Sequence, residues 1–162
     1  MTTYSYDANG NVVQRAAPAG TVVYGYDARN LMTSAVIGSN TYGYSYDVEG
    51  ARITRSLNGG LESRFLVDSN MPHAHVLRET SSGGAEIARQ VYGVDEVLYS
   101  VTGAGGRYMH YDAQRSVRAL TNSSGAVVDN YAFDAFGRRL ANSGLTVNAY
   151  GYSGERRDAE TG

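Results

Sequence analysis

Five aspartates, Asp7, Asp27, Asp47, Asp112 and Asp134, each follow an aromatic residue, and carboxylates are common general acids and bases. Acid–base catalysis needs one unique arrangement of groups around one reacting bond. Here the same dipeptide returns at a fixed interval: Tyr6-Asp7, Tyr26-Asp27 and Tyr46-Asp47 are 20 residues apart (26 − 6 and 46 − 26). Chemistry needed once is not written at equal intervals, whereas turn chemistry is needed in every unit of a repeat. The aspartates are therefore expected to build turns.

The other candidates are weaker still. His73 and His75 are two positions apart, so a strand would set both imidazoles on one face, as a metal pair requires. Asp68 is the one acidic residue close by, and this falls short of a full ligand set. Both histidines are read as polar loop residues, and His110 as a substituted strand position. Ser124-Gly125 lacks the G-x-S-x-G nucleophile elbow. Gly103-Ala104-Gly105-Gly106 lacks the Lys-Ser/Thr of a phosphate loop, and a β-turn accounts for it better. Arg138-Arg139 and Arg156-Arg157 are short basic pairs with acids nearby, expected to be solvated or stacked. The expectation is a protein that is not an enzyme, with no catalytic, cofactor-binding or metal-ligating residue and no cofactor.

The elements that carry these residues follow from a period of two. In Tyr42-Gly43-Tyr44-Ser45-Tyr46-Asp47 the three tyrosines share one strand face, and Gly43, Ser45 and Asp47 share the other. Val22, Tyr24 and Tyr26 align in the same way. Each dipeptide opens a short turn: Asp7-Ala8-Asn9-Gly10, Asp27-Ala28-Arg29-Asn30 and Asp47-Val48-Glu49-Gly50. An aspartate can accept backbone N–H bonds from two residues on. Gly or Asn at the fourth position suits the left-handed residue of a type I turn with a bulge. A second strand follows, at Asn11-Val12-Val13, Leu31 to Ile37 and Arg52 to Leu57. One repeat is thus a β-hairpin.

Phe65-Leu66-Val67-Asp68 and Tyr92-Gly93-Val94-Asp95 are degenerate copies, the second following a Ser81-Ser82-Gly83-Gly84 turn. The pattern sharpens at Tyr108-Met109-His110-Tyr111-Asp112 and Tyr131-Ala132-Phe133-Asp134, and Tyr150-Gly151-Tyr152-Ser153-Gly154 is the last, with Ser for Asp. About eight hairpin units in one region, residues 1–162, are expected to form a continuous, twisted antiparallel sheet. A lone hairpin is marginal in water, so the units must pair edge to edge. The two outermost edges then remain as pairing templates.

Composition agrees. The 162 residues hold 20 Gly, 14 Tyr, 2 Pro and no Cys, a strand-and-turn vocabulary without disulfides or thiolate metal sites. A net charge of −2 without a basic stripe argues against nucleic acid as a partner. All basic residues are Arg, which suits stacking on tyrosine rings, although a GC-rich genome explains the absence of Lys equally well. Neither a signal peptide nor an apolar stretch of membrane-spanning length is present. The compartment is left open.

These residues resemble the YD-repeat, or rearrangement-hotspot (RHS), family. The resemblance is most specific over Tyr111-Asp112-Ala113-Gln114-Arg115-Ser116-Val117-Arg118-Ala119-Leu120-Thr121, Ser124-Gly125-Ala126-Val127-Val128 and Tyr131-Ala132-Phe133-Asp134-Ala135-Phe136-Gly137-Arg138. The run from Tyr150 to Gly162 resembles the core at the end of such shells. The resemblance implies a β-strip that spirals into a hollow shell around a toxic domain, as in bacterial polymorphic toxins and the B–C components of insecticidal toxin complexes. A similar barrel occurs in teneurins, and members are secreted or at the cell surface. The self-cleavage element of the family is expected beyond Gly162, so the chain is expected to be a segment of a longer array. The function expected is structural: part of a shell that encapsulates a toxin or effector. Its partners would be other YD-repeat segments or copies of itself, and an enclosed toxin domain. The alternative is a carbohydrate-binding or adhesion module that displays its tyrosines. Otherwise each Tyr packs between strands with its hydroxyl in water.

Overall fold

The computed structural model describes residues 1–71 and 73–161; Gly162, which ends the Glu-Thr-Gly element, lies outside the described residues. The chain is all-β and gathers into two compact units, residues 1–85 and 86–162. In the first, β1 (Thr3–Tyr6), β2 (Val12–Ala17), β3 (Gly20–Tyr26), β4 (Met32–Ile37), β5 (Asn40–Tyr46), β6 (Arg52–Leu57), β7 (Gly60–Asp68) and β8 (His75–Ser81) lie side by side in chain order. In the second, β9 (Glu86–Tyr92), β10 (Val97–Thr102), β11 (Gly105–Tyr111), β12 (Val117–Thr121), β13 (Val127–Phe133) and β14 (Arg139–Ser143) do the same. All the strand pairs within each unit are antiparallel, for instance β3 with β4 and β12 with β13.

The expected turn forms at the same place in each well-kept hairpin. The residue three after the aspartate is left-handed: Gly10 at φ 86°, Asn30 at 61°, Gly50 at 88°, Arg115 at 62° and Gly137 at 81°. Pairing slips by one residue just before each turn, between Ser5 and Tyr6, Gly25 and Tyr26, Ser45 and Tyr46, His110 and Tyr111, and Ala132 and Phe133. A bulge there re-aims the aromatic residue of the dipeptide and sharpens the local twist. At the opposite end, Asn58 and Gly59 both have positive φ (50° and 83°), which is the two-residue turn matched to the right-handed twist of the strands.

The faces divide as the period of two requires. In the first unit Tyr24, Ala35, Tyr42 and Leu57 are successive cross-strand partners. Ala35, fully buried, lies between two tyrosines and leaves room for their rings. On the other face Gly25, Ser34, Gly43 and Ser56 line up. In the second unit the core is built from Val97, Met109, Val117, Leu120, Tyr131 and Tyr150.

Among the described residues seven hairpins form, and the eighth expected unit does not. Tyr150–Gly154 makes a short 3-10 turn (Tyr152–Gly154) and a single bridge, Tyr150 with Arg156. The segment that contains it lies across the sheet of the second unit. The Val117 N–H donates to Gly151 O (2.9 Å), the Ser153 N–H to Ser116 Oγ (3.0 Å) and the Thr146 N–H to Asp129 Oδ1 (3.2 Å). The Tyr92 and Tyr150 hydroxyls meet at 2.8 Å. A sheet with one uncovered face loses apolar contact to water, and here the chain's own end covers it.

Candidate functional site

The repeated aspartates do turn work. Asp7 Oδ1 accepts the N–H groups of Asn9 (2.9 Å) and Asn11 (2.8 Å). Asp27 does the same with Arg29 and Leu31, Asp112 with Gln114 and Ser116, and Asp134 with Phe136 and Arg138. At Asp47 the Ala51 N–H donates at 2.8 Å. Two further turns of this design do not start with Asp: Ser81-Ser82-Gly83-Gly84 is the turn expected there, while the one at Asn122 escaped the sequence analysis. Asn122 accepts from Ser124 (3.0 Å) and Ala126 (3.1 Å), and Ser81 Oγ accepts from the Ala85 N–H (3.2 Å). A left-handed glycine three residues on, Gly125 or Gly84, was the available signal. Ser124-Gly125 is thus the interior of a turn, and Gly103-Ala104 the link between β10 and β11.

These bonds set the acid chemistry. The Asn11 side-chain amide, with the backbone N–H groups, outweighs desolvation and holds Asp7 below the usual carboxylate range. The Leu31 N–H does this chiefly for Asp27. At Asp134 desolvation raises the carboxyl, but the Arg138 and Phe136 N–H groups and the Arg138 guanidinium outweigh it, and the net direction is down. Carboxyls lowered in the folded state bind fewer protons there than in the unfolded chain. Their stabilisation is present in full above the ordinary carboxylate value of about 4 and is lost as pH falls through the lowered values. Thermal midpoints should therefore be flat from about pH 5 to 7 and drop below about pH 4. Asp27→Asn should keep the turn, as Asn122 does, and remove part of that acid dependence. An unchanged acid limb in melts from pH 2.5 to 6 would contradict this.

The tyrosine of the dipeptide is a clamp. The hydroxyl of Tyr26 donates to Val12 O (3.1 Å), that of Tyr46 to Met32 O (2.6 Å) and that of Tyr111 to Val97 O (2.7 Å). In each case the acceptor is 14 residues back (26 − 12, 46 − 32, 111 − 97) and opens the return strand of the preceding hairpin. The expectation that these hydroxyls end in water is corrected: the bulge lays the ring over the neighbouring hairpin, and a backbone carbonyl is within reach. Burial pushes the Tyr26 and Tyr111 phenols up, as it does Tyr150 and Tyr131, so they stay neutral donors.

The two histidines separate. His75 is buried in β8 as the cross-strand partner of Asp68, while His73 is exposed in the connection before the strand, so the same-face pair does not form. Among the described residues no group of three or more His, Asp or Glu is arranged to hold a metal ion. His110 Nε2 lies 2.9 Å from Thr121 Oγ1.

The two arginine pairs come together. Phe133, Phe136, Arg138 and Arg139 from the last hairpin face Tyr150, Tyr152, Glu155, Arg156 and Arg157 across a cleft of about 540 Å³. The Arg139 guanidinium lies 5.1 Å from the centre of the Tyr131 ring and 6.0 Å from that of Phe133. Arg138 Nε donates to Asp134 (3.0 Å), and an Arg156 nitrogen is 3.7 Å from Asp158. Tyr152 closes one side, with its hydroxyl donating to Ala135 O (2.9 Å). The four arginines were expected to be solvated or stacked, and Arg139 is both exposed and placed over aromatic rings. Their convergence was not visible in the sequence.

Comparison with known proteins follows the repeat. A family model described as the teneurin YD-shell matches residues 1–162. The tRNA3(Ser)-specific nuclease WapA of Bacillus spizizenii is 32% identical over 165 residues, and the tRNA nuclease WapA of Bacillus subtilis 31% identical over 165. Each alignment covers 98% of this chain but 7% of the relative's length, so the chain spans a small part of the curated relatives it matches. Among solved structures, the crystal structure of TcdB2-TccC3 aligns with 86% of this chain and 10% of its own, at a TM-score of 0.39 and 13% identity. The Photorhabdus luminescens Tc holotoxin pore aligns with 98% of this chain and 14% of its own, at a TM-score of 0.36 and 12% identity. No helix among the described residues is long and apolar enough to cross a membrane.

Proposed function

The chain belongs to the teneurin YD-shell family, and on that footing we propose that it is a wall segment of a shell that encloses a toxin or effector domain for delivery. The reading rests on the clamp: the hairpins of Tyr26, Tyr46 and Tyr111 each tie that tyrosine's hydroxyl to the hairpin before, so hairpins are built to be added in series. In the first unit β1 is exposed at every residue, and so in the second is β14, as strands open to pairing would be. The aspartates that looked like acids and bases are occupied in turns, so the chain contributes containment and leaves any chemistry, such as the nuclease activity in the relatives' names, to another part of a longer protein.

Light scattering across a concentration series tests this reading. Edge pairing predicts mass that grows with concentration in the micromolar range, or a defined oligomer. A strict monomer throughout would count against a shell segment. One observation favours the second reading, carbohydrate recognition. Tyr99 and Tyr108 pair across β10 and β11 with ring centres 4.7 Å apart, on the face opposite Met109, and Tyr108 is 47% exposed. Stacking on sugar rings would use such a platform, and a glycan array with Tyr108→Ala as control separates the two readings.

A further inference from the structure

The cleft between the last hairpin and the chain's own end carries charges that the wall does not use. Four guanidiniums and one carboxylate, Glu155, line it. Arg138 is matched by Asp134 and Arg156 by Asp158. Arg139 and Arg157 are both exposed and have no carboxylate partner among the described residues. The Arg139 guanidinium lies over the Tyr131 and Phe133 rings, a cation–π contact that uses none of its N–H donors and leaves them for an incoming anion. The walls are aromatic: Phe133 and Tyr152 meet edge to face with ring centres 6.0 Å apart, and Phe136 is 95% exposed. Gly137 is left-handed and sits against the Tyr152 ring, where a Cβ would come within 2.9 Å of it, so the cleft's shape depends on a residue without a side chain.

We propose that this cleft is a recognition site for a short acidic peptide segment, one that places a carboxylate between Arg139 and Arg157 and an aromatic side chain against Phe133 and Phe136. A cavity of about 540 Å³ is the size of a small-ligand or few-residue site. Charge complementarity selects an anion, and the aromatic lining selects one with an apolar neighbour. Nucleic acid fits less well. A phosphodiester backbone needs a continuous basic track, whereas here Glu155, Asp134 and Asp158 interrupt the arginines.

The test is fluorescence anisotropy on the full chain with three labelled hexapeptides, alternating Asp with Phe, Asn with Phe and Lys with Phe. The Asp/Phe peptide should bind at least tenfold more tightly than the other two, and more weakly as salt rises. Arg157→Gln should weaken it several-fold, and Arg139→Gln with Arg157→Gln at least tenfold. Among the described residues the Arg157 side chain makes no hydrogen bond or ion pair, so an unchanged thermal midpoint certifies that variant. Arg89→Gln, on β9, should leave binding as it was. The proposal is overturned if the three peptides bind alike, if Arg157→Gln binds as the parent does, or if Arg89→Gln loses as much. It is also overturned if a single-stranded RNA oligonucleotide or inorganic phosphate binds this cleft in preference to the peptide.

Discussion

Alanine at Gly144 should cost the second unit about 3 kcal/mol or more and lower its thermal midpoint by more than about 10 °C. Gly144 follows β14 at φ 81°, where an L side chain is strained. The added Cβ would also run into the Asp129 carboxylate and the Val128 carbonyl. Asp129 is 1% exposed, and Val128 O is backbone within β13, so neither can give way cheaply. The substitution acts on the point where the chain turns back over the sheet, with the Thr146 N–H donating to Asp129 just beyond. Gly10→Ala is the comparison. Gly10 has a similar φ of 86° but nothing within 4 Å, so only the backbone cost of about 1 kcal/mol remains. Melts followed by near-ultraviolet tyrosine dichroism resolve the two. Equal, small shifts would mean that the end segment is not held where the structure holds it.

Phenylalanine at Tyr111 should destabilise the second unit by about 2 kcal/mol, read as a lower urea midpoint at unchanged slope. The hydroxyl donates to Val97 O (2.7 Å) and is 3.3 Å from Met109 Sδ, in the core around Val97, which is 2% exposed. Deleting it strands a carbonyl away from water, and the penalty of an unmet buried acceptor exceeds the net value of the bond. Tyr24→Phe sets the baseline: Tyr24 shares the core face but makes no hydroxyl bond among the described residues, so its loss should be near zero. If Tyr111→Phe were no worse than Tyr24→Phe, the clamp between hairpins would have no energetic meaning. Phe133 shows that the repeat tolerates one missing hydroxyl, in the last hairpin, where the residue packs against Tyr152 instead.

The repeat was legible because its causes are local. Alternation of Tyr with Gly or Ser assigns faces over a few residues, and an Asp followed three positions later by Gly or Asn is a turn whatever surrounds it. So the strands near Tyr44 and the turn at Asp27 could be read directly. The Ser81-Ser82-Gly83-Gly84 turn was legible from its glycines, whereas the Asn122 turn was missed because the same geometry was written with a different acceptor.

By itself, then, the sequence determined the hairpins, their turns, the buried face and the family resemblance, since each depends on neighbours within about 20 residues along the chain. Tertiary structure alone decided three things. It chose the partner of the tyrosine hydroxyl, because a carbonyl 14 residues back comes within reach only once two hairpins pair with a bulge in register. It folded Tyr150–Gly154 over the sheet although its residues spell another strand, and there Tyr150 joins Val97 and Val117 in the buried core. And it brought Arg138-Arg139 to Arg156-Arg157, since where a guanidinium ends up depends on the path of the backbone between the two pairs, which no local pattern encodes.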